Sequence, residues 1–255
     1  SSTRTSDGSC PARSLRQRGS HQRVQQHETA LVLRAQDARL VHAGLEVALQ
    51  EVDVGRRRSG SIDQARLIAE FLQMEMQFYP TIAVADEQYG DAILSSVPMR
   101  MVRAAELPRS PSDRRAEPRG AIWVEIDLGG HTVQVINTHL GLGSRERFAQ
   151  VNALLGPDWL GSSACQKPVV LCGDFNMQRG SAPYRLLSKR LTDAQAALAN
   201  HRRQRTWFSD WPVLELDRVF FGGPLQVRTI QVPKNALTVA ASDHLPLVVE
   251  FVLQS

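Results

Sequence analysis

The chain is poor in several things. No Phe, Trp or Tyr occurs before Phe71, no Asn occurs before Asn137, and only three of the thirty basic residues are lysines, Lys167, Lys189 and Lys234. No run of eighteen or more apolar residues is present, so no segment reads as a transmembrane helix. Three cysteines, Cys10, Cys165 and Cys172, cannot all pair, and no two have the spacing of a zinc site. Neither a disulfide framework nor thiol catalysis is expected. Cys172 sits in an apolar run and reads as a small core residue. No internal repeat and no linker divides the sequence.

What remains is ordinary for a globular protein: 255 residues, 42% hydrophobic and 22% charged, enough for a sizeable core. The net charge of +4 and pI of 9.3 suit a phosphate-bearing partner. They are a weak clue, because seven arginines fall within the first forty residues. Residues 1–25 are rich in Ser, Arg, Gly and Gln and cannot offset their ordering entropy, so they are expected to be flexible, with one domain over 26–255. The sequence opens without an apolar signal segment, and a cytoplasmic monomer is expected rather than a secreted protein.

Periodicity suggests a mixture of helices and strands. A weak helical pattern runs from Thr29 to Val41 with Gly44 as its cap, and Ser61 with Gln64 has capping-box spacing before a helix to Phe78. That second helix places Ala65, Ile68, Phe71 and Leu72 on one face. Ala92–Val97 and Ala121–Ile126 read as strands, the latter joined to Thr132–Asn137 by Gly129-Gly130. Ser144 caps a helix with Phe148, Val151, Leu154 and Leu155 inward, and Ser181 with Pro183 starts another. Val169–Cys172, Leu216–Phe221, Leu225–Val232 and Leu245–Leu253 are further strands, and 100–120 and 200–212 read as surface loops. This pattern fits a sandwich of two mixed sheets better than one parallel sheet.

Polar residues collect where the apolar strands end. Glu51 follows Val47–Gln50, His139 follows Val135–Thr138, and Asp174 and Asn176 follow Val169–Gly173. Asp217 opens Arg218–Phe221, and Asp243-His244 precede Leu245–Val249. Strand ends can hold several side chains toward one cleft. Carboxylates that hold a hard cation, a base for water and imidazoles that stabilise phosphoryl charge are what phosphoester hydrolysis needs. Taken singly, most of these residues are better explained as turns, caps or exposed acids. Six pieces in one order are not.

Those pieces are Leu49-Gln50-Glu51-Val52, Tyr89–Ser95, Asn137-Thr138-His139-Leu140, Gly173-Asp174-Phe175-Asn176, Leu216–Phe220 and Ser242–Pro246. Together they resemble the endonuclease/exonuclease/phosphatase superfamily over roughly residues 45–253. The resemblance implies an α/β four-layered sandwich of two mixed β-sheets flanked by helices, with the site at one edge. It implies Glu51 as a ligand of Mg²⁺ (Mn²⁺ can substitute), supported by Asp243. It implies Asp174 orienting or deprotonating water, Asn176 and His139 on the phosphate, and Asp217 orienting His244 as acid–base or charge stabiliser. The substrate would be a phosphoester, whether nucleic acid, phospholipid or inositol phosphate. Arg202, Arg203, Arg205 and Trp207 are candidates to grip nucleic acid, and Trp207, Phe208 and Trp211 to meet lipid.

The sequence departs from the family at two places. The family's first strand ends in an aromatic, then Asn, then Ile or Leu, and no such tripeptide precedes Glu51. The first strand is therefore expected to be missing or atypical; a truncated or frame-altered start and real divergence both suit that composition. Asp91 stands where relatives often carry Asn. A catalytically impaired member that binds phosphorylated ligands is the alternative reading.

Overall fold

The computed structural model of the chain describes residues 27–35, 43–109 and 116–254. The segment 1–25, expected to be flexible, lies outside them. In chain order the elements are β1 (His27–Ala35), β2 (Ala43–Val54), α1 (Gln64–Leu72), β3 (Glu75–Val84), β4 (Glu87–Ser95), β5 (Met99–Glu106), β6 (Gly120–Leu128) and β7 (His131–His139). They continue with α2 (Ser144–Leu155), β8 (Val169–Asp174), α3 (Ala182–Ser188), β9 (Thr192–Asp193), α4 (Ala194–Ala197), β10 (Asp217–Gly222), β11 (Leu225–Gln231), α5 (Ala236–Ala241) and β12 (Leu247–Leu253).

Two mixed six-stranded sheets form, one ordered β11-β12-β1-β2-β4-β3 and the other β5-β6-β7-β8-β10-β9. Strict alternation along the strands puts two apolar faces on each sheet. The inward rows, such as Ile122, Val124 and Ile126 of β6 and Leu247, Val249 and Phe251 of β12, meet between the sheets. The outward row of the second sheet, including Trp123, Ile136, Leu171 and Phe220, packs under Val151 and Leu154 of α2 and Leu187 of α3. Val47, Leu49 and Val52 of the first sheet pack under Ala65 and Ala69 of α1. The result is the four-layered α/β sandwich.

Several local expectations are corrected. The stretch read as a helix from Thr29 contains a strand: β1 pairs in parallel with β12, Thr29 opposite Leu247, and antiparallel with β2, His27 opposite Gln50. Both neighbours need backbone partners, and that demand overrides a weak local helical pattern. The position of the first strand is thus filled, and the family's Asn is what the sequence lacks. α1 ends at Leu72 and is capped by Asp63, not Ser61. Beyond it lies β3, whose Pro80 is tolerated because β3 is an edge strand and slips register between Pro80 and Ile82. β5, inside the expected loop 100–120, is the edge of the other sheet and carries Arg100 and Arg103. Phe71 and Leu72, grouped on one face of the expected helix, and Phe148, expected to face inward, are exposed. Cys172 is fully buried as expected, and Cys165 and Cys172 are unpaired.

Candidate active site

At one end of the sandwich the inward rows change from apolar to polar without breaking their two-residue period. β7 runs Val133, Val135, Asn137, His139; β8 runs Val170, Cys172, Asp174; β10, in the opposite direction, runs Phe221, Val219, Asp217. Register then sets these ends side by side. His139 is the parallel partner of Asp174, and Asp174 is the antiparallel partner of Asp217. Gly173 makes that adjacency possible. Its φ is 134°, and a Cβ there would sit 1.8 Å from the Thr138 carbonyl oxygen.

The side chains converge, one pair within hydrogen-bonding distance and the others within 4.0 Å. Asp217 Oδ2 lies 2.8 Å from His244 Nδ1, and Asp174 Oδ2 lies 4.0 Å from His244 Nε2 and 3.5 Å from His139 Nε2. Asn176, with φ of 48°, turns back so that its backbone N–H donates to Asp174 Oδ1 at 2.8 Å and its amide donates to the Leu140 carbonyl at 3.0 Å. Asn is among the residues that adopt this left-handed conformation most readily. The strand-less segment carrying His244 is fixed from the other side. Ser209 N–H donates to Asp243 O at 2.7 Å and Leu245 N–H to Thr206 O at 2.8 Å. Thus 200–212, read as a surface loop, forms one wall of the site.

Glu51 reaches the same cleft by a different device. β2 and β4 pair regularly to Leu49–Ala92, then resume at Val52–Gly90, so Gln50 and Glu51 together oppose Asp91. In this β-bulge Glu51 takes φ of 61°, a conformation costing about 1–3 kcal/mol for such a residue. Its Oε1 lies 3.7 Å from His139 Nδ1. Burial and the negative charges of Glu51 and Glu117 push the Tyr89 phenol far up.

The cleft, of about 700 Å³, is lined by Glu51, His139, Asp174, Asn176, Asp243 and His244. Six of the seven residues singled out from sequence thus face one space, and the seventh, Asp217, lies directly behind His244. Glu117, Arg119, Arg147 and Trp207 also line it. Of these only Trp207 was considered from sequence. Arg119, at the mouth of β6, is buried, with Nη1 2.9 Å from His139 Nδ1 and Nη2 3.0 Å from Glu117 Oε2. The one hint of it in the sequence is its place next to a strand end on the same side as the others. Burial raises the Glu117 carboxyl above its usual range, with Arg119 pulling it back. Arg203, a candidate for gripping nucleic acid, instead pairs with Asp193 and Glu215, while Arg202, Arg205, Phe208 and Trp211 are exposed.

A divalent cation fits the donor set. Four carboxylates, Glu51, Glu117, Asp174 and Asp243, line the cleft against two guanidiniums, Arg119 and Arg147. Among the described residues no three His, Cys, Asp or Glu side chains come together as a group that could by itself hold a metal ion. Mg²⁺ ordinarily needs none, taking one or two carboxylates together with water and substrate oxygens.

The sequence model of the Endonuclease/Exonuclease/phosphatase family matches residues 47–244. The chain belongs to that family. A similar curated protein is Uncharacterized protein YbhP of Escherichia coli (strain K12), 27% identical over 185 residues, covering 72% of this chain and 70% of the relative. A functionally unknown conserved protein from Enterococcus faecalis V583 superposes with a TM-score of 0.62 at 22% identity, over 75% of this chain and 81% of that one. The mannosyl-6-phosphatase Bt3783 of Bacteroides thetaiotaomicron superposes with a TM-score of 0.59 at 15% identity, over 88% of this chain and 100% of that one. At these identities the solved structures establish likeness of fold. Among the described residues no helix is long and apolar enough to cross a membrane.

Proposed function

We propose that the chain hydrolyses phosphoesters with the help of a divalent cation, Mg²⁺ or in its place Mn²⁺. The observation that carries this reading is the continuous row Asp217–His244–Asp174–His139, with spacings of 2.8, 4.0 and 3.5 Å. Asp174 orients the attacking water and accepts its proton as the new oxygen–phosphorus bond forms and the ester oxygen leaves. His244, held through Nδ1 by Asp217, presents Nε2 to the cleft, where it stabilises phosphoryl charge and protonates the leaving oxygen. Asn176 and His139 hold the phosphate. Glu51 holds the cation, with Asp243 supporting that region. When bound, the cation supplies charge neutralisation at the phosphoryl oxygens.

Nucleic acid and phospholipid present phosphodiesters and inositol phosphate a phosphomonoester, and the structural neighbour from Bacteroides thetaiotaomicron is named as a mannosyl-6-phosphatase. The test therefore uses both bis-p-nitrophenyl phosphate and p-nitrophenyl phosphate with Mg²⁺. Turnover of at least one is expected, abolished by excess EDTA and reduced about 10³-fold by His244→Ala, with the melting temperature almost unchanged. A His244→Ala protein as active as the wild type would place the chemistry elsewhere. Well-folded protein inert toward both esters would favour a binding role, the reading supported by the lack of any Asn before Asn137.

A further inference from the structure

Glu51 sits in a backbone conformation that a glutamate does not choose, and such strain persists only where the surroundings enforce it. The flanking ladder cannot do so, because the bulge is where the ladder is interrupted. The enforcing group comes from the opposite sheet. Asn137, on the inward face of β7 and fully buried, donates from Nδ2 to the Leu49 carbonyl at 2.9 Å and to the Ala92 carbonyl at 3.0 Å. Leu49 and Ala92 are the last regular pair before the slip. Asn137 Oδ1 accepts from Gln50 Nε2 at 2.6 Å, so one amide engages both strands of the bulge and its first residue. The Gln50 Oε1 atom is buried without a hydrogen bond, so the Asn137 contact is what holds the Gln50 amide.

We infer that Asn137 is a positioning residue, an amide clamp reaching between the sheets that fixes the β2 bulge and thereby aims Glu51 into the cleft. The geometry separates this from ordinary core filling. An amide that merely satisfied itself between sheets would have no reason to take both carbonyls at the slip. The inward residues of β7 on the core side of Asn137, Val133 and Val135, are apolar and make no such bond. The consequence for cation binding rests on the function proposed above, while the consequence for the backbone does not.

The test uses the full chain with Asn137→Ser, which removes the reach without adding charge, and Gln50→Met, which cuts one of the three bonds and keeps the other two. Crystal structures of both report the β2–β4 register, and Mn²⁺ binding to each protein is followed by electron paramagnetic resonance. In Asn137→Ser the bulge is expected to shift or collapse, with Glu51 leaving the left-handed region and Mn²⁺ affinity falling about tenfold. Gln50→Met should show a smaller loss in the same direction. An unchanged bulge in folded Asn137→Ser would overturn the inference. So would a melting temperature that drops while the register and Mn²⁺ affinity stay at wild-type values. If Asn137→Ser cannot be folded, Gln50→Met decides alone, and an unaltered Glu51 conformation and affinity there would overturn it. A collapsed bulge in a protein whose wild type never bound Mn²⁺ would uphold the clamp and sink the metal part of the proposed function.

Discussion

The two flanks of the cleft are built on opposite principles. On one, Asp174 and Asp217 are directly opposed residues of neighbouring strands, and nothing more than regular pairing is needed to bring them together. Below them the buried Arg218 donates to the Met177 and Glu215 carbonyls and to the carboxylates of Asp193 and Glu215, with its guanidinium over the Tyr184 ring. It thus ties the loop after β8 to the entry of β10. On the other flank, Glu51 depends on an interrupted ladder and a left-handed backbone. The residues proposed to handle water and protons thus rest on regular strand pairing. The candidate cation ligand rests on a local exception to it.

Removing Arg218 should break that contrast most strongly. Arg218→Met leaves Asp193 and Glu215 with only Arg203 as a cationic partner, and an uncompensated buried charge costs about 3–5 kcal/mol. Urea denaturation would show it as a lower midpoint, accompanied by lost turnover; an unchanged midpoint would mean that Arg203 carries the network alone.

At the apolar end of the same sandwich, Glu46 faces inward with neither carboxylate oxygen hydrogen-bonded, and burial pushes its carboxyl up to about 8. Because the folded state holds that proton more tightly than the unfolded chain, stability from this residue is full below about 4.5 and is lost as pH rises toward 8. The expected slope is about 1.4 kcal/mol per pH unit in that window, order of magnitude only. Glu46→Gln should flatten it, gaining most at pH 8 and little at pH 5. Equal effects at both would assign the cost to packing, not charge.

The smallest effect concerns the bulged flank itself. Millimolar Mg²⁺ should raise the melting temperature of the wild type by a few degrees through selective binding to the folded protein. Glu51→Gln should respond less, while Asp174→Asn should keep more of the shift than Glu51→Gln. Equal shifts in all three would remove Glu51 from the cation's ligands.

Much of this was legible in the sequence because of where the chemistry sits. Glu51, His139, Asp174 and His244 follow or precede short apolar runs, so the end of the run marks the end of the strand. The misreadings cluster at edges and at the start. β3 and β5 are edge strands, one partly read as the end of a helix and the other as a loop, since only one side of each ladder must be satisfied. β1 was hidden because its conformation is imposed by β2 and by β12, whose paired residues lie 218 positions further along the chain, Leu247 opposite Thr29. Asn137 and Arg218 carried no local sign of the contacts they make, and Arg119 only its place beside a strand end. Asn137 reads as part of a turn motif, yet its partners Gln50 and Ala92 are 87 and 45 residues distant. Alternation tells which face a residue occupies, and it is silent about the partner across the gap.

Gly173 has a consequence for variation as well as for shape. With the Thr138 carbonyl oxygen 1.8 Å from where any Cβ would stand, every replacement must pry β7 from β8 at the point where His139 and Asp174 are neighbours. In a saturation library scored for abundance and for turnover, position 173 should be a column of uniform failure, alanine included. Conservative and radical substitutions would be indistinguishable there, because what is selected is the empty space.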